Sequence, residues 1–158
     1  MTIKVGDKIP SCTLKTPGEP RPVDITTEQL FAGKKVVLFA VPGAFTPGCS
    51  NTHLPGFIVN ADTIKAKGVE TIACLAVNDA FVMGAWAKLQ NAEEILMIAD
   101  GNGELTKKLG LELDASGFGL GIRSKRFAMI VDDGVVKYLG VDTSDIKDSA
   151  ADAVLAHL

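Results

Sequence analysis

Residues 35–41, KVVLFAV, pass from one charged residue into six consecutive apolar ones with no polar alternation. A strand facing water on one side would alternate, whereas a continuous β-prone run is what a strand covered on both faces requires. Such a sheet needs helices on both sides, and the rest of the chain supplies the pattern. VETIACLAV (69–77) reads as a second buried strand and EILMIAD (94–100) as a third. Between them, DAFVMGAWAKLQ (79–90) reads as a helix N-capped by Asn78 or Asp79. GELTKKLG (103–110) is a short helix ending at Gly110, and RFAMIVDDGVVKYLGV (126–141) is a hairpin around Asp132-Asp133-Gly134. The spacing in SDIKDSAADAVLAHL (144–158) predicts a closing amphipathic helix N-capped by Ser144 or Asp145.

A further helix is predicted from Pro47 to Gly68. It should kink near Pro55, which has no N–H to donate to Asn51. Strands alternating with helices, then a hairpin and a last helix, suggest one domain over residues 1–158 with a central mixed sheet flanked by helices. A thioredoxin-like α/β sandwich has that order; a flavodoxin-like sheet also alternates, but the late hairpin favours the former.

A chain of 158 residues with 47% apolar and 22% charged content can bury a core in one domain without disulfides. Its net charge of −3 gives no basic footprint, so nucleic acid and anionic membranes are not expected partners. MTIKVGDKIP has no apolar segment of a secretory leader, which points to the cytoplasm, or to an organelle if a leader has been removed. Three cysteines cannot close a disulfide framework, and reduced thiols fit better.

Chemistry concentrates in VPGAFTPGCSNTHLPGF, residues 41–57. Thr46 suits an N-cap, Pro47 the first helical position, and Cys49 then lies in the first turn. Unpaired N–H groups and the positive end of the helix dipole favour thiolate over thiol there. His53 follows one turn later on the same face, either as a satisfied buried histidine or as a charge partner. A cysteine in a first turn is often only a core residue. Here it follows a buried strand through a Pro/Gly-rich turn, where ligands of open α/β sheets collect.

Other chemistries use the same residues less well. Cys49 and His53 have metal-ligand character, but C-x₃-H without a second ligand pair is a poor metal site. A cysteine hydrolase needs an oriented histidine from elsewhere, and His157, near the end of the last helix, is badly placed. A disulfide reductase needs C-x-x-C, and here Thr46 occupies the first position.

PGAFTPGCSNTHLPGF resembles the active-site segment of the peroxiredoxins, in their type II (atypical, peroxiredoxin-5-like) branch. The family pattern P-x-x-x-T-x-x-C is matched by Pro42, Thr46 and Cys49. The resemblance continues through GVETIACLAVNDAFVMGAW, ADGNGELTKKLGLELD and GLGIRSKRFAMIVDDGVV, nearly the whole chain. It implies an arginine before a strand, which Arg126 matches in register, with Arg123 one step outside.

The resemblance further implies a thiol peroxidase for hydrogen peroxide and alkyl hydroperoxides. Cys49 would attack, and Thr46, Arg126 and the first-turn N–H groups would stabilise the leaving oxygen, with Pro42 shaping the pocket. It implies no metal or other cofactor, glutathione/glutaredoxin or thioredoxin as reductant, and a homodimer. The competing role for Arg126 is a surface ion pair with Asp132 or Asp133, a role that suits Lys125 better.

Some type II members carry a resolving cysteine before the last helix, where this chain has GVDTSDIKDS. Cys74 lies in the apolar strand TIACLAV and reads as a core residue rather than a resolving one. Cys12 has no family role, and Trp86 is expected to pack its helix on the sheet. The alternative to a peroxidase is a thioredoxin-fold binding or chaperone-like module that retains a cysteine.

Overall fold

The three apolar runs lie side by side in the middle of one sheet. A computed structural model describes residues 2–158. In chain order the strands are β1 (Thr13–Thr16), β2 (Val23–Thr26), β3 (Lys35–Ala40), β4 (Thr71–Ala76), β5 (Leu96–Ala99), β6 (Glu112–Asp114), β7 (Ile122–Ser124), β8 (Arg126–Asp132) and β9 (Val135–Asp142). The helices are α1 (Thr27–Phe31), α2 (Leu54–Val59), α3 (Ala61–Ala66), α4 (Ala80–Leu89), α5 (Glu104–Leu109) and α6 (Ala151–Ala156). A π-helical turn, Cys49–His53, precedes α2.

The main sheet has seven strands in the order β2-β1-β5-β4-β3-β8-β9. β3, β4 and β5 are parallel, while β1 and β8 join antiparallel at the two flanks. Both faces are covered, as the apolar runs require. Val37, Phe39 and Val41 point into a core shared with α2, α3, α4 and α6, and Val36, Leu38 and Ala40 into a second core with α1 and α5. This is the thioredoxin-like α/β arrangement, with a mixed sheet between helices.

Local chemistry fixes most element ends as expected. Asp79 caps α4 by accepting from Val82 N at 2.8 Å, and the β8–β9 hairpin turns at Asp133–Gly134, both at positive φ. Two expectations are corrected. The helix after Pro47 does not kink simply at Pro55: its ladder widens into the π-turn, in which Leu54 N reaches the Cys49 carbonyl, and it breaks again at Asn60. Pro55 cannot bond to the Asn51 carbonyl, and a π-turn just before it is one way to absorb that loss.

The closing helix begins at Ala151, not at Ser144 or Asp145. Asp142 captures the intervening backbone instead, accepting from Lys147 N, Asp148 N, Ser149 N and the Ser149 hydroxyl. The β1–β2 hairpin and the small β6–β7 sheet had no clear signature in the sequence.

Candidate functional site

The end of β3 delivers the chain into the loop 41–46, and a set of hydrogen bonds fixes that loop. Val41 N bonds to the Leu75 carbonyl, extending the parallel ladder by one step. Ala44 N donates to Asn78 Oδ1 at 3.0 Å, so Asn78 holds this loop while its neighbour Asp79 caps α4. Arg123 Nη1 donates to the Pro42 carbonyl at 3.2 Å, and its Nε to the Leu120 carbonyl at 3.0 Å. Phe45 is held at φ 68° and is half exposed. A bulky residue in the left-handed region is strained, and such strain persists only where the surroundings impose it.

Thr46 sits where an N-cap was expected. Its carbonyl accepts from Ser50 N at 2.9 Å, starting the helix. Its hydroxyl donates to the Gly43 carbonyl at 2.7 Å rather than capping the first turn. With that proton committed, the oxygen is left with acceptor capacity. Cys49 opens the π-turn, fully buried, in the same core as Phe39 and Cys74.

Arg126, the first residue of β8, reaches this turn with both ends of its guanidinium. Nη2 donates to Cys49 Sγ at 3.3 Å and Nη1 to His53 Nδ1 at 2.9 Å. Gly48 permits the approach, since a Cβ there would lie 3.2 Å from Nη2. Among the described residues Arg126 forms no ion pair with Asp132 or Asp133, and Lys125 forms none either. Asp133 instead accepts from Gly33 N.

His53 is 1% exposed, packed against Phe39 and Phe57, with both nitrogens engaged. Nε2 bonds to the Ser149 carbonyl at 2.8 Å, so it carries the proton, and Nδ1 is the acceptor for Arg126. Burial, and then the Arg126 charge, push the His53 pKa down to about 4, against the pull of the Ser149 carbonyl. His53 is therefore the satisfied buried histidine of the two readings rather than a cationic partner. With no lone pair free it also makes a poor metal ligand. His157 stacks on Tyr138 with Nδ1 at the Ala153 carbonyl, outside the hydrogen bonds that join Cys49, Arg126 and His53.

All three cysteines are free and buried. Burial pushes the Cys12 and Cys74 thiols up, Cys74 strongly. Cys74 sits opposite Phe39 in the parallel register of β4 on β3. Trp86 packs α4 on the sheet as expected, and its indole N–H also donates to the Ser50 hydroxyl at 3.0 Å. A cleft of 240 Å³ lies behind the site between Thr52, His53, Gly56 and Ile146. A larger one of 610 Å³, lined by Lys15, Arg21, Phe81 and Asp100 among others, includes none of these site residues.

Pro42, Thr46, Cys49, His53, Arg123 and Arg126 thus come together at one end of β3, while Cys12 and His157 do not. Sequence reasoning missed Asn78 as the holder of Ala44, the strained Phe45, and Asp142 with Ser149 behind His53. An Asp before a Ser/Asp-rich loop was the available signal for the last pair.

The family model described as Redoxin matches residues 4–155. Peroxiredoxin-2E, chloroplastic, of Arabidopsis thaliana is 51% identical over 146 residues, 89% of this chain and 62% of that protein. The chain therefore spans less than two thirds of that relative. Peroxiredoxin-2B of the same plant is 46% identical over 99% of this chain and 98% of its own length. Among solved structures, reduced Prx3 from Vibrio vulnificus in complex with H₂O₂ is 56% identical with a TM-score of 0.94, covering 98% of each chain.

Proposed function

The chain belongs to the peroxiredoxins, in their type II branch, and from that premise we propose that it is a thiol peroxidase acting through Cys49. The thiolate sulfur bonds to one peroxide oxygen as the O–O bond breaks. The other oxygen leaves with the bonding pair and takes a proton, as water or alcohol. Sulfur is oxidised by two electrons to sulfenic acid and the peroxide is reduced by two.

The contact of Arg126 Nη2 with Cys49 Sγ, at 3.3 Å in the first turn of a helix, carries this reading. A charge that cannot be lost lies beside the sulfur, with further donors on the other nitrogens of the same planar group. A peroxide seated there would meet a donor already in place for the developing oxyanion, so little reorganisation is needed. Thr46, its proton on Gly43, would accept the peroxide hydrogen and orient the reacting oxygen. Pro42, tied to Arg123, would form the wall of the mouth.

Substrates are hydrogen peroxide and alkyl hydroperoxides. Regeneration uses an outside thiol, glutathione with glutaredoxin, or thioredoxin. That thiol condenses with the sulfenic acid, water leaves, and a second thiol reduces the mixed disulfide. Because Cys49 is fully enclosed, the π-turn has to open before a partner protein can reach the sulfur. We place the protein in a reducing compartment, the cytoplasm or an organelle.

We propose that the protein is a homodimer joined near the active-site loop. Phe45, Phe81, Phe118 and Ile122 are all exposed, and each is on a segment that hydrogen bonds tie to the active-site loop through Asn78 or Arg123. Exposed apolar side chains on these segments suit a second copy of the chain.

The test is peroxide consumption by purified protein with a thiol donor, for the parent and for Cys49→Ser. Loss of turnover in the variant is expected. Turnover that survives it would overturn the role of Cys49, and a parent that consumes no peroxide would leave the binding or chaperone-like module as the better reading.

A further inference from the structure

Arg126 has a long, flexible side chain, and its aim at Cys49 depends on what holds its other end. That partner is Nδ1 of His53, which has to be a lone pair because a guanidinium can only donate. A neutral imidazole carries its proton on one nitrogen or the other, and here the choice is made from behind. Nε2 faces the Ser149 carbonyl, which can only accept, so the proton stays on Nε2 and Nδ1 stays open to Arg126.

The Ser149 carbonyl is in turn held by Asp142, at the end of β9. Asp142 is 6% exposed, and its carboxylate accepts from Lys147 N at 2.8 Å, Asp148 N at 3.1 Å, Ser149 N at 2.9 Å and the Ser149 hydroxyl at 2.6 Å. Burial opposes its ionisation, but these bonds outweigh that and hold its pKa at about 2. The loop is fastened to β9 at one more point. Tyr138 donates to the Asp148 carbonyl at 2.6 Å, and Gly140 leaves room for that carbonyl, into which any Cβ would run. On its other side the loop borders the 240 Å³ cleft next to His53, while His53 and Ser149 are themselves buried and bonded to each other.

We propose that Asp142 is a positioning residue for peroxide reduction, acting through the Ser149 carbonyl and the His53 tautomer to aim Arg126 at Cys49. This rests on the role given above to Arg126. Asp142 touches neither sulfur nor substrate. Its carboxylate instead replaces the helix start that Ser144 or Asp145 would have made with a loop whose carbonyl points at His53.

The experiment is a double-mutant cycle of Asp142→Ala and Arg126→Gln, read as the single-turnover rate of Cys49 oxidation by hydrogen peroxide with rapid quench and mass spectrometry. Alone, Asp142→Ala should slow the step about tenfold, less than loss of the donor itself, and in the Arg126→Gln background it should change the rate less than about twofold. Imidazole ¹⁵N spectra supply a second readout. With only two histidines in the chain, the His53 signal should pass from the Nε2–H tautomer in the parent to a mixture in Asp142→Ala. If that variant does not fold, Ser149→Ala removes only the 2.6 Å bond and should give a smaller, equally non-additive loss. Equal slowing in both backgrounds, or an unchanged rate and tautomer, overturns the relay while leaving the role of Arg126 intact. A parental rate in Arg126→Gln overturns that role and the relay with it.

Discussion

The indole N–H of Trp86 donates to the Ser50 hydroxyl at 3.0 Å, which ties the chain's one tryptophan to the residue directly after Cys49. The ring is fully buried, and its bond to the half-buried Ser50 joins α4 to the π-turn. One equivalent of peroxide should therefore change the tryptophan emission of the parent and leave that of Cys49→Ser unchanged. Ser50→Ala strands a buried donor and should lower unfolding stability by about 1–3 kcal/mol in urea titration. An emission spectrum indifferent to Cys49 oxidation would show that the turn and α4 move independently.

Arg126 and Arg123 lie three residues apart and do different work. Replacing Arg126 with Gln should cut peroxidase turnover by about two to three orders of magnitude, the loss typical of one preorganised donor. Arg123→Gln removes two bonds to backbone carbonyls and no contact with sulfur, so its loss should be smaller. Steady-state rates at saturating thiol decide this, and equal losses in the two variants would refute the division of roles.

His53 gives the stability a definite dependence on pH. Its folded pKa, about 4, lies below the ordinary histidine value, so between the two the unfolded chain binds more protons than the folded one. Stability is then fully retained above about pH 6.5 and falls as the pH drops toward 4, by about 3 kcal/mol for a shift of this size. Asp142 adds a second, lower window: its folded pKa of about 2 lies below the usual carboxylate value, so its contribution is present above about pH 4 and lost toward 2. His53→Phe keeps a ring against Phe39 and Phe57 and should erase the upper step alone. Urea midpoints from pH 7 to pH 3 measure it; an undiminished slope in His53→Phe would assign the step to other groups.

The parts of this molecule legible in the sequence are those where one local rule decides. KVVLFAV has no polar alternation, so it became an interior strand, β3, and Asp79 and Asp133-Gly134 lie where a cap and a tight turn each permit few residues. The helix start that puts Cys49 in a first turn was legible for the same reason, although the Thr46 hydroxyl turns to the Gly43 carbonyl instead of capping it. What stayed hidden depends on contacts distant in sequence. Asp142 competes with Ser144 and Asp145 for the same backbone, and only the packing of the loop on Gly140 and Tyr138 decides the outcome. The role of Asn78 depends on Ala44, 34 residues earlier, and the tautomer of His53 on Ser149, 96 residues later. The β1–β2 and β6–β7 strands, three or four residues each, are too short to show a period.

Catalysis through one cysteine and an outside thiol is the last expectation. Cys74 is buried inside β4 with its thiol pushed well up by that burial, so it is both enclosed and a poor nucleophile. Cys49 is equally enclosed, at the start of the π-turn, and a bridge between them would require Cα atoms roughly 4.4–6.8 Å apart with converging Cβ vectors. A free thiol in solution has neither handicap once the turn opens. After one equivalent of peroxide with glutathione present, intact-mass and peptide analysis should find the glutathione adduct on Cys49. Without any thiol, excess peroxide should carry Cys49 on to the sulfinic state. Cys74→Ala should keep its turnover, since the variant removes a core atom and no reacting group. A stoichiometric Cys49–Cys74 disulfide, with turnover lost in that variant, would instead make Cys74 the resolving residue and require β4 itself to open during the cycle.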